Sequence, residues 1–595
     1  MLHSYSYFFL TPARRPAPTG PRRLANVFLS VSLLTASLLA GAPTQTRAQT
    51  LAWQAAQALN TTAPGTGYSV VTATAAGGAG NVYLAGYFNA SITLGSTTLA
   101  TGSGSNAAFV AKWSTVTSSF VWARQVGSTY DSRAAALAVQ GSSVYVAGSF
   151  VRTATFGTQT LSGTGAQDTF VAKLVDAGTS ATFAWAQAAG NGDETLASGL
   201  AVSGSSVYVA GTFLDASNTK PAHFGATILS SAGAHDGFVA KLTDNTSSAS
   251  FTWAQRLGGT NDDDVSALAS TNSALYVGGS FRSQPASFGA AALSSAGEDD
   301  AFVARLTDAG ATASFAWAQR AGGPDTDAVY ALAASGSSVY ATGSFASTGA
   351  SFGSTTLSTA GAGDVFVAKL TDAGTSGSFT WAQRAGGLYT DEGTGLAVSG
   401  SSVYVAGNFN TAPATFGSTT LTSAGGFDIF AAQLTDAVST GSFAEAVAAG
   451  GQSGDFAYGV ALGGSSVYVG GSVFGTTAFG AYPVVGSGYP SGGFVAVLRP
   501  GALAATPASV AAPAARPWPN PAHGSTTVAL SAGPAGTVAT LTLLDARGCP
   551  VRRQAATTGA APTEVIFSLT GVAPGVYTLR VAAGATTTAS RLVVE

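Results

Sequence analysis

The sequence predicts an all-β protein: a seven-bladed β-propeller closed by its N-terminal strand, followed by a small C-terminal β-sandwich. Three observations lead to that fold. A strand-like segment, "GSSVYVAGSF" at 141–150, returns as "SSVYVAGNF" at 401–409 and in related spellings between them. The recurring strands are apolar or small on both alternating faces, which suits sheets stacked face to face better than a two-layer sandwich. A further strand-like segment, "LAWQAAQAL" at 51–59, stands ahead of the first copy with no repeat of its own.

The period is regular. The tyrosine of the motif recurs at Tyr83, Tyr145, Tyr208, Tyr276, Tyr340, Tyr404 and Tyr468. A phenylalanine in "FVAKL" follows it at Phe109, Phe170, Phe238, Phe302, Phe366, Phe430 and Phe494. Residues 51–498 divide evenly into seven units of 64, and self-similarity of this period is the mark of a repeat architecture. Each unit reads as four strands, "LAV", "VYVAGSF", "FVAKL" and "FAWAQ", with "ATFGSTTLS" as a decorating hairpin. Gly-Ser and Asp-Ala-Gly clusters supply the turns.

The ends test ring closure. Trp122, Trp185, Trp253, Trp317 and Trp381 mark the fourth strand of units one to five. Unit six has "FAEAVAAGG", with Glu445 in place of Trp, and unit seven leaves "FVAVL" without a fourth strand. The orphan segment 51–59 matches that missing strand, with Trp53 expected at the tryptophan position.

Composition narrows the function. Of 595 residues, 9% are charged and 46% hydrophobic, with a net charge of −3 and a mean hydropathy of +0.29. No run of about 18 apolar residues follows the first fifty positions, so no helical span is expected in the mature chain. The charge leaves no basic footprint for nucleic acid. Arg14, Arg15, Arg22 and Arg23 precede an apolar stretch from Val27 to Ala42. This pattern predicts a signal peptide over 1–48, cut after Ala48, and export to the periplasm. Cys549 is the sole cysteine, so no intrachain disulfide can staple the fold.

Two resemblances add to this reading. "WAQRAGGPDTDAVYALAASGSSVYATGSF" at 317–345 resembles the SBBP-type β-propeller repeat, and the likeness recurs over about 450 residues spanning 49–498. It implies a propeller and carries no settled activity. Beyond it, 499–516 is an Ala/Pro-rich linker. Residues 517–595 resemble the type A C-terminal sorting domain of the type IX secretion system in Bacteroidota. The matching positions are Pro519, Asn520 and Pro521, then Asp545 and Gly548, then Pro574, Gly575, Val576 and Tyr577, and the terminal "RLVV". The resemblance implies a sandwich read by the outer-membrane translocon and commonly removed afterwards, with the cargo released or held at the cell surface.

Candidate chemistry is sparse. Asp168, Asp236, Asp300, Asp364 and Asp428 each stand two residues before the marker Phe, and Asp131, Asp193, Asp264, Asp327, Asp391 and Asp455 form a second series after the Trp strand. Such periodic aspartates read as turn devices. Their oxygens could bind calcium, a hard cation suited to carboxylates, and otherwise no cofactor and no catalytic residue is expected. His223 and His235 lack a third ligand motif. The repeated tryptophans read as packing between blades, and the insertion 213–225 as the best contact loop. The expected function is a secreted or surface noncatalytic scaffold with an unknown glycan or protein ligand. The alternative is an extracellular propeller hydrolase acting on glycan or protein.

Overall fold

A computed structural model describes residues 51–61, 67–102, 105–164, 166–190, 192–215, 219–271, 274–410, 413–486, 491–500, 517–530, 538–545, 550–558, 563–583 and 586–595. The expected signal peptide, linker positions 501–516, Gly548 and Cys549 lie outside them. The described residues are all-β, with one short 3-10 turn at Gly78–Gly80.

Each of the first six repeats folds into four antiparallel strands taken in chain order. In the fifth these are Asp327–Ser335, Ser338–Phe345, Asp364–Asp372 and Gly377–Ala385, with the hairpin Thr348–Phe352 and Thr355–Ser358 between the second and third. The first strand carries a bulge at Val329/Ala331 opposite Gly343. There the Ala328 carbonyl oxygen comes so close that a Cβ on Gly343 would lie 1.9 Å from it. This close approach explains the glycine that recurs in "VYVAGSF".

The last repeat borrows its fourth strand. Leu51–Ala58 pairs antiparallel with Gly492–Pro500, from Leu51 opposite Pro500 to Ala58 opposite Phe494. The register corrects one expectation. In repeats two to five the tryptophan stands opposite the Lys or Arg of "FVAKL", as Trp317 does opposite Arg305. Trp53 instead stands opposite Leu498, where the other repeats carry Phe, and Ala55 faces Val497. Its ring accordingly makes the contact those phenylalanines make, edge-on to Phe479 at 5.0 Å and 88°. Phe315 meets Phe288 in the same way at 5.9 Å and 88°. The slot over the hairpin holds Phe in the other repeats and Trp here, so the identity of the residue did not determine the register.

The core is a series of apolar clusters, each shared by neighbouring repeats. One joins Ala461, Tyr468, Val495 and Val497 of repeat seven to Val71, Leu84, Phe109 and Trp113 of repeat one. The first strand of each repeat packs on that of the next, and Phe456–Gly463 of the seventh packs on Ser69–Gly77 of the first. These seven first strands line a cavity of about 170 Å³ that takes in Thr72, Ser198, Tyr330, Thr394 and Tyr458.

Past the linker, Ser525–Leu530 pairs with Thr563–Ser568, and a four-stranded sheet runs Pro550–Thr557, Val538–Leu544, Gly575–Ala583, Thr586–Val594. Val528, Leu541, Phe567, Leu579 and Leu592 share one buried cluster between them.

Candidate functional site

The acids of the repeats fall into two constructions. The first is a four-residue cluster between adjacent repeats. Tyr276 Oη donates to Asp372 Oδ2 at 2.7 Å and Trp317 Nε1 donates to Asp372 Oδ1 at 2.9 Å. Arg305 Nε lies 2.9 Å from Asp372 Oδ2. Tyr, Trp and the cation come from one repeat and the Asp from the next. The same arrangement converges on Asp176 from Tyr83, Lys112 and Trp122, on Asp244 from Tyr145, Lys173 and Trp185, on Asp308 from Tyr208, Lys241 and Trp253, and on Asp436 from Tyr340, Lys369 and Trp381. Burial alone would raise the Asp372 carboxyl. The hydrogen bonds from Trp317, Tyr276 and the Gly374 N–H, with the Arg305 charge, hold it below the usual carboxylate range. Burial and the bond to Asp372 push the Tyr276 hydroxyl up to about 12.

In the sequence Asp176, Asp308 and Asp372 read only as part of Asp-Ala-Gly turns, and they do cap turns: Gly374 N donates to Asp372 Oδ1 at 2.8 Å. A signal for the larger role lies in the repeats themselves. Where Asp gives way to Pro500 in repeat seven, the preceding repeat carries Gln433 and Glu445 instead of Lys and Trp. Where Thr115 takes its place in repeat one, repeat seven carries Val497 and Ala55. The partners are lost together.

The second construction joins the two series singled out in the sequence. Asp300 Oδ2 accepts from Arg320 Nη1 at 3.0 Å and from the Ala296 N–H. Asp327 Oδ2 accepts from Gly323 N at 2.8 Å and Ser347 Oγ at 2.7 Å. Asp364 and Asp391 repeat this with Arg384 and Gly387. In repeat four the strand opens on Asp263, opposite Phe281, so Asp263 and not Asp264 is the counterpart of Asp327. Asp264 points to the opposite face because side chains alternate along a strand. Repeats two and three hold Ser132 and Thr195 at that place, one residue after Asp131 and two after Asp193.

The remaining candidates separate. His235 Nδ1 lies 3.0 Å from Asp262 Oδ1 and its Nε2 lies 3.8 Å from Glu194 Oε2. Glu194 and Asp262 together push the imidazole up to about 9. His223 sits on the hairpin strand Ala222–Phe224, its backbone bonded to Gly190. The two histidines therefore have different neighbours. In the insertion, buried Asp215 accepts from the Thr219 and Lys220 N–H groups, and Lys220 Nζ reaches Asp193 at 2.9 Å. The repeated tryptophans are buried, at 2–4% exposure, and cannot offer a face to a sugar. Among the described residues, no group of three or more His, Cys, Asp or Glu side chains is placed to hold a metal ion.

In the C-terminal domain, Asn520 ties the start to the end: its Nδ2 donates to Arg591 O and its Oδ1 accepts from Val593 N, both at 2.8 Å. Thr526 Oγ1 donates to Pro519 O at 3.1 Å, and Tyr577 Oη donates to Ala573 O at 2.8 Å, across the Pro574–Gly575 turn. Asp545 follows the strand Val538–Leu544. Residues 517–595 match the family model of the secretion system C-terminal sorting domain. This tail marks the chain for export by the type IX system to the cell surface or the extracellular space. No curated protein matches the chain, and no helix of the described residues is long and apolar enough to cross a membrane.

Proposed function

We propose that the chain is exported as a seven-bladed β-propeller of SBBP-type repeats and works outside the cell as a noncatalytic binding or structural scaffold. The reading rests on one observation above the others: the periodic acids, the residues best suited to chemistry, are engaged in structural bonds, and the Asp372 series holds one repeat to the next. The cyclic contact of the first strands and the borrowed N-terminal strand support the ring. What differs between repeats lies in loops, where Tyr130, Leu388 and Tyr389 are exposed, and recognition resides most often in loops carried on a rigid frame. A glycan array paired with a hydrolysis screen on glycans and peptides tests this. Binding without turnover is expected, whereas turnover of any bound class would make the chain a hydrolase.

The sorting tail acts through the secretion translocon by way of Pro519, Asn520, Pro521, Asp545, Gly548, Pro574, Gly575 and Tyr577, and is removed near the 499–516 linker after export. Deleting 517–595 should leave the propeller inside the cell envelope. Mass spectrometry of the exported protein should find no peptide from 520–595. Normal export without the tail, or a tail retained on all exported protein, would contradict the two halves of this statement in turn.

A further inference from the structure

Four contacts between repeats bring two aspartates face to face with an oxygen left over. Asp236 meets Asp263, Asp300 meets Asp327, Asp364 meets Asp391, and Asp428 meets Asp455, and all eight residues are 0–1% exposed. At the second contact, a Cβ on Gly322 would lie 2.3 Å from Asp300 Oδ1 and 2.5 Å from Asp327 Oδ2. The two oxygens thus flank the same missing side chain. At the first and third contacts, the corresponding distances are 2.1 and 2.9 Å from Gly258, and 2.2 and 2.7 Å from Gly386. The Oδ1 atoms of Asp236, Asp300, Asp364 and Asp428, and Oδ2 of Asp455, are buried without any hydrogen-bond partner.

Such an atom is costly to leave unpaired, and two ionised carboxylates this close repel in a buried site. We propose that each pair binds one proton, shared between the unpartnered Oδ1 and the facing carboxylate, so that repeats three to seven are joined by four acid–carboxylate hydrogen bonds. The neighbours agree with this. In the first three pairs one charge is already matched by Arg256, Arg320 or Arg384 on the adjoining strand, which leaves the other to be neutralised. At the fourth contact Ala448 stands where the arginine would be. The remaining acids nearby, Asp299 beside Asp300 and Glu392 beside Asp391, add negative charge and favour the proton further. Burial, then the partner carboxylate among the other neighbours, pushes Asp327 and Asp455 up to about 6 and Asp391 up to about 7. At the contact of repeats two and three Thr195 stands in place of the second acid.

The sign follows from linkage. The folded values lie above the unfolded aspartate value of about 3.9, so this stabilisation is complete below that value and is lost as pH rises through about 6 to 7. Calorimetric unfolding at about pH 5.5, in two buffers of different ionisation enthalpy, counts the protons released. The four pairs release protons in addition to those of the other buried acids, Asp264 and Glu392, so about one proton fewer is expected from Asp327→Asn than from the intact protein. Asp168→Asn, outside the pairs, should leave the count unchanged. No net release would overturn the proposal. So would a loss of melting temperature in chelator at pH 7 that calcium restores in the parent and not in Asp327→Asn, which would make the pairs a cation site.

Discussion

Removing the strand 51–59 should unfold or aggregate the repeat domain, and Trp53→Ala alone should cost about 3–5 kcal/mol. Trp53 is 7% exposed, packs edge-on to Phe479 and donates from Nε1 to the Ala448 carbonyl at 3.0 Å. It therefore ties the last repeat to the sixth as well as filling its own sheet. Leu51 N adds a second tie, donating to Glu445 Oε2. Without the strand, Gly492–Pro500 is left with an open edge, ready to pair with another chain. Denaturant titrations of Trp53→Ala, Phe315→Ala and Trp317→Ala provide the measurement. All three are expected to lose a large share of a typical domain's roughly 5–15 kcal/mol. Terminal residues ordinarily fray, so a silent Trp53→Ala beside a severe Trp317→Ala would show that the strand does not close the sheet.

Asp372→Ala is expected to be as damaging, about 3–5 kcal/mol, because it strands a buried cation. The Asp372 and Arg305 side chains are 8% and 13% exposed, and the substitution also removes the acceptor for Tyr276 Oη and Trp317 Nε1. The double variant Asp372→Thr with Arg305→Val should recover part of the loss. It copies the pair that repeats one and seven already use, Thr115 and Val497, and leaves no charge unmatched. The measurement is thermal unfolding at pH 7 of Asp372→Ala and of the double-mutant cycle made by Asp372→Thr, Arg305→Val and the two together. A single variant within about 1 kcal/mol of the parent would mean that the cluster is solvated and contributes little. Acid should reproduce the damage. These carboxyls lie below the usual range when folded, so their contribution is present above the unfolded value and fades as pH falls through the folded one. The Asp pairs between repeats change in the opposite sense, which places greatest stability on the acid side of neutrality.

The repeat period, the four strands of each unit, the hairpin and the orphan N-terminal strand were legible in the sequence. Each is a local pattern: Tyr340, Phe366 and Trp381 return with fixed spacing because each repeat must bury the same faces against its neighbours. The sorting tail was legible for a similar reason, since Asn520 and Tyr577 make short-range or end-to-end ties that a motif records. Two matters were decided only by tertiary structure. Register was one. A slip of two residues keeps every side chain on its own face, so pattern alone cannot tell whether Trp53 stands with Trp317 or with Phe315, and only the pairing to Leu498 does. The other was the use of the aspartates. Asp372 and Tyr276 are 96 residues apart, and Asp300 and Asp327 lie on different repeats. Whether an acid caps its own turn, holds a cation from the preceding repeat or shares a proton depends on what packing brings against it, because burial and neighbouring charge set the state of a carboxyl.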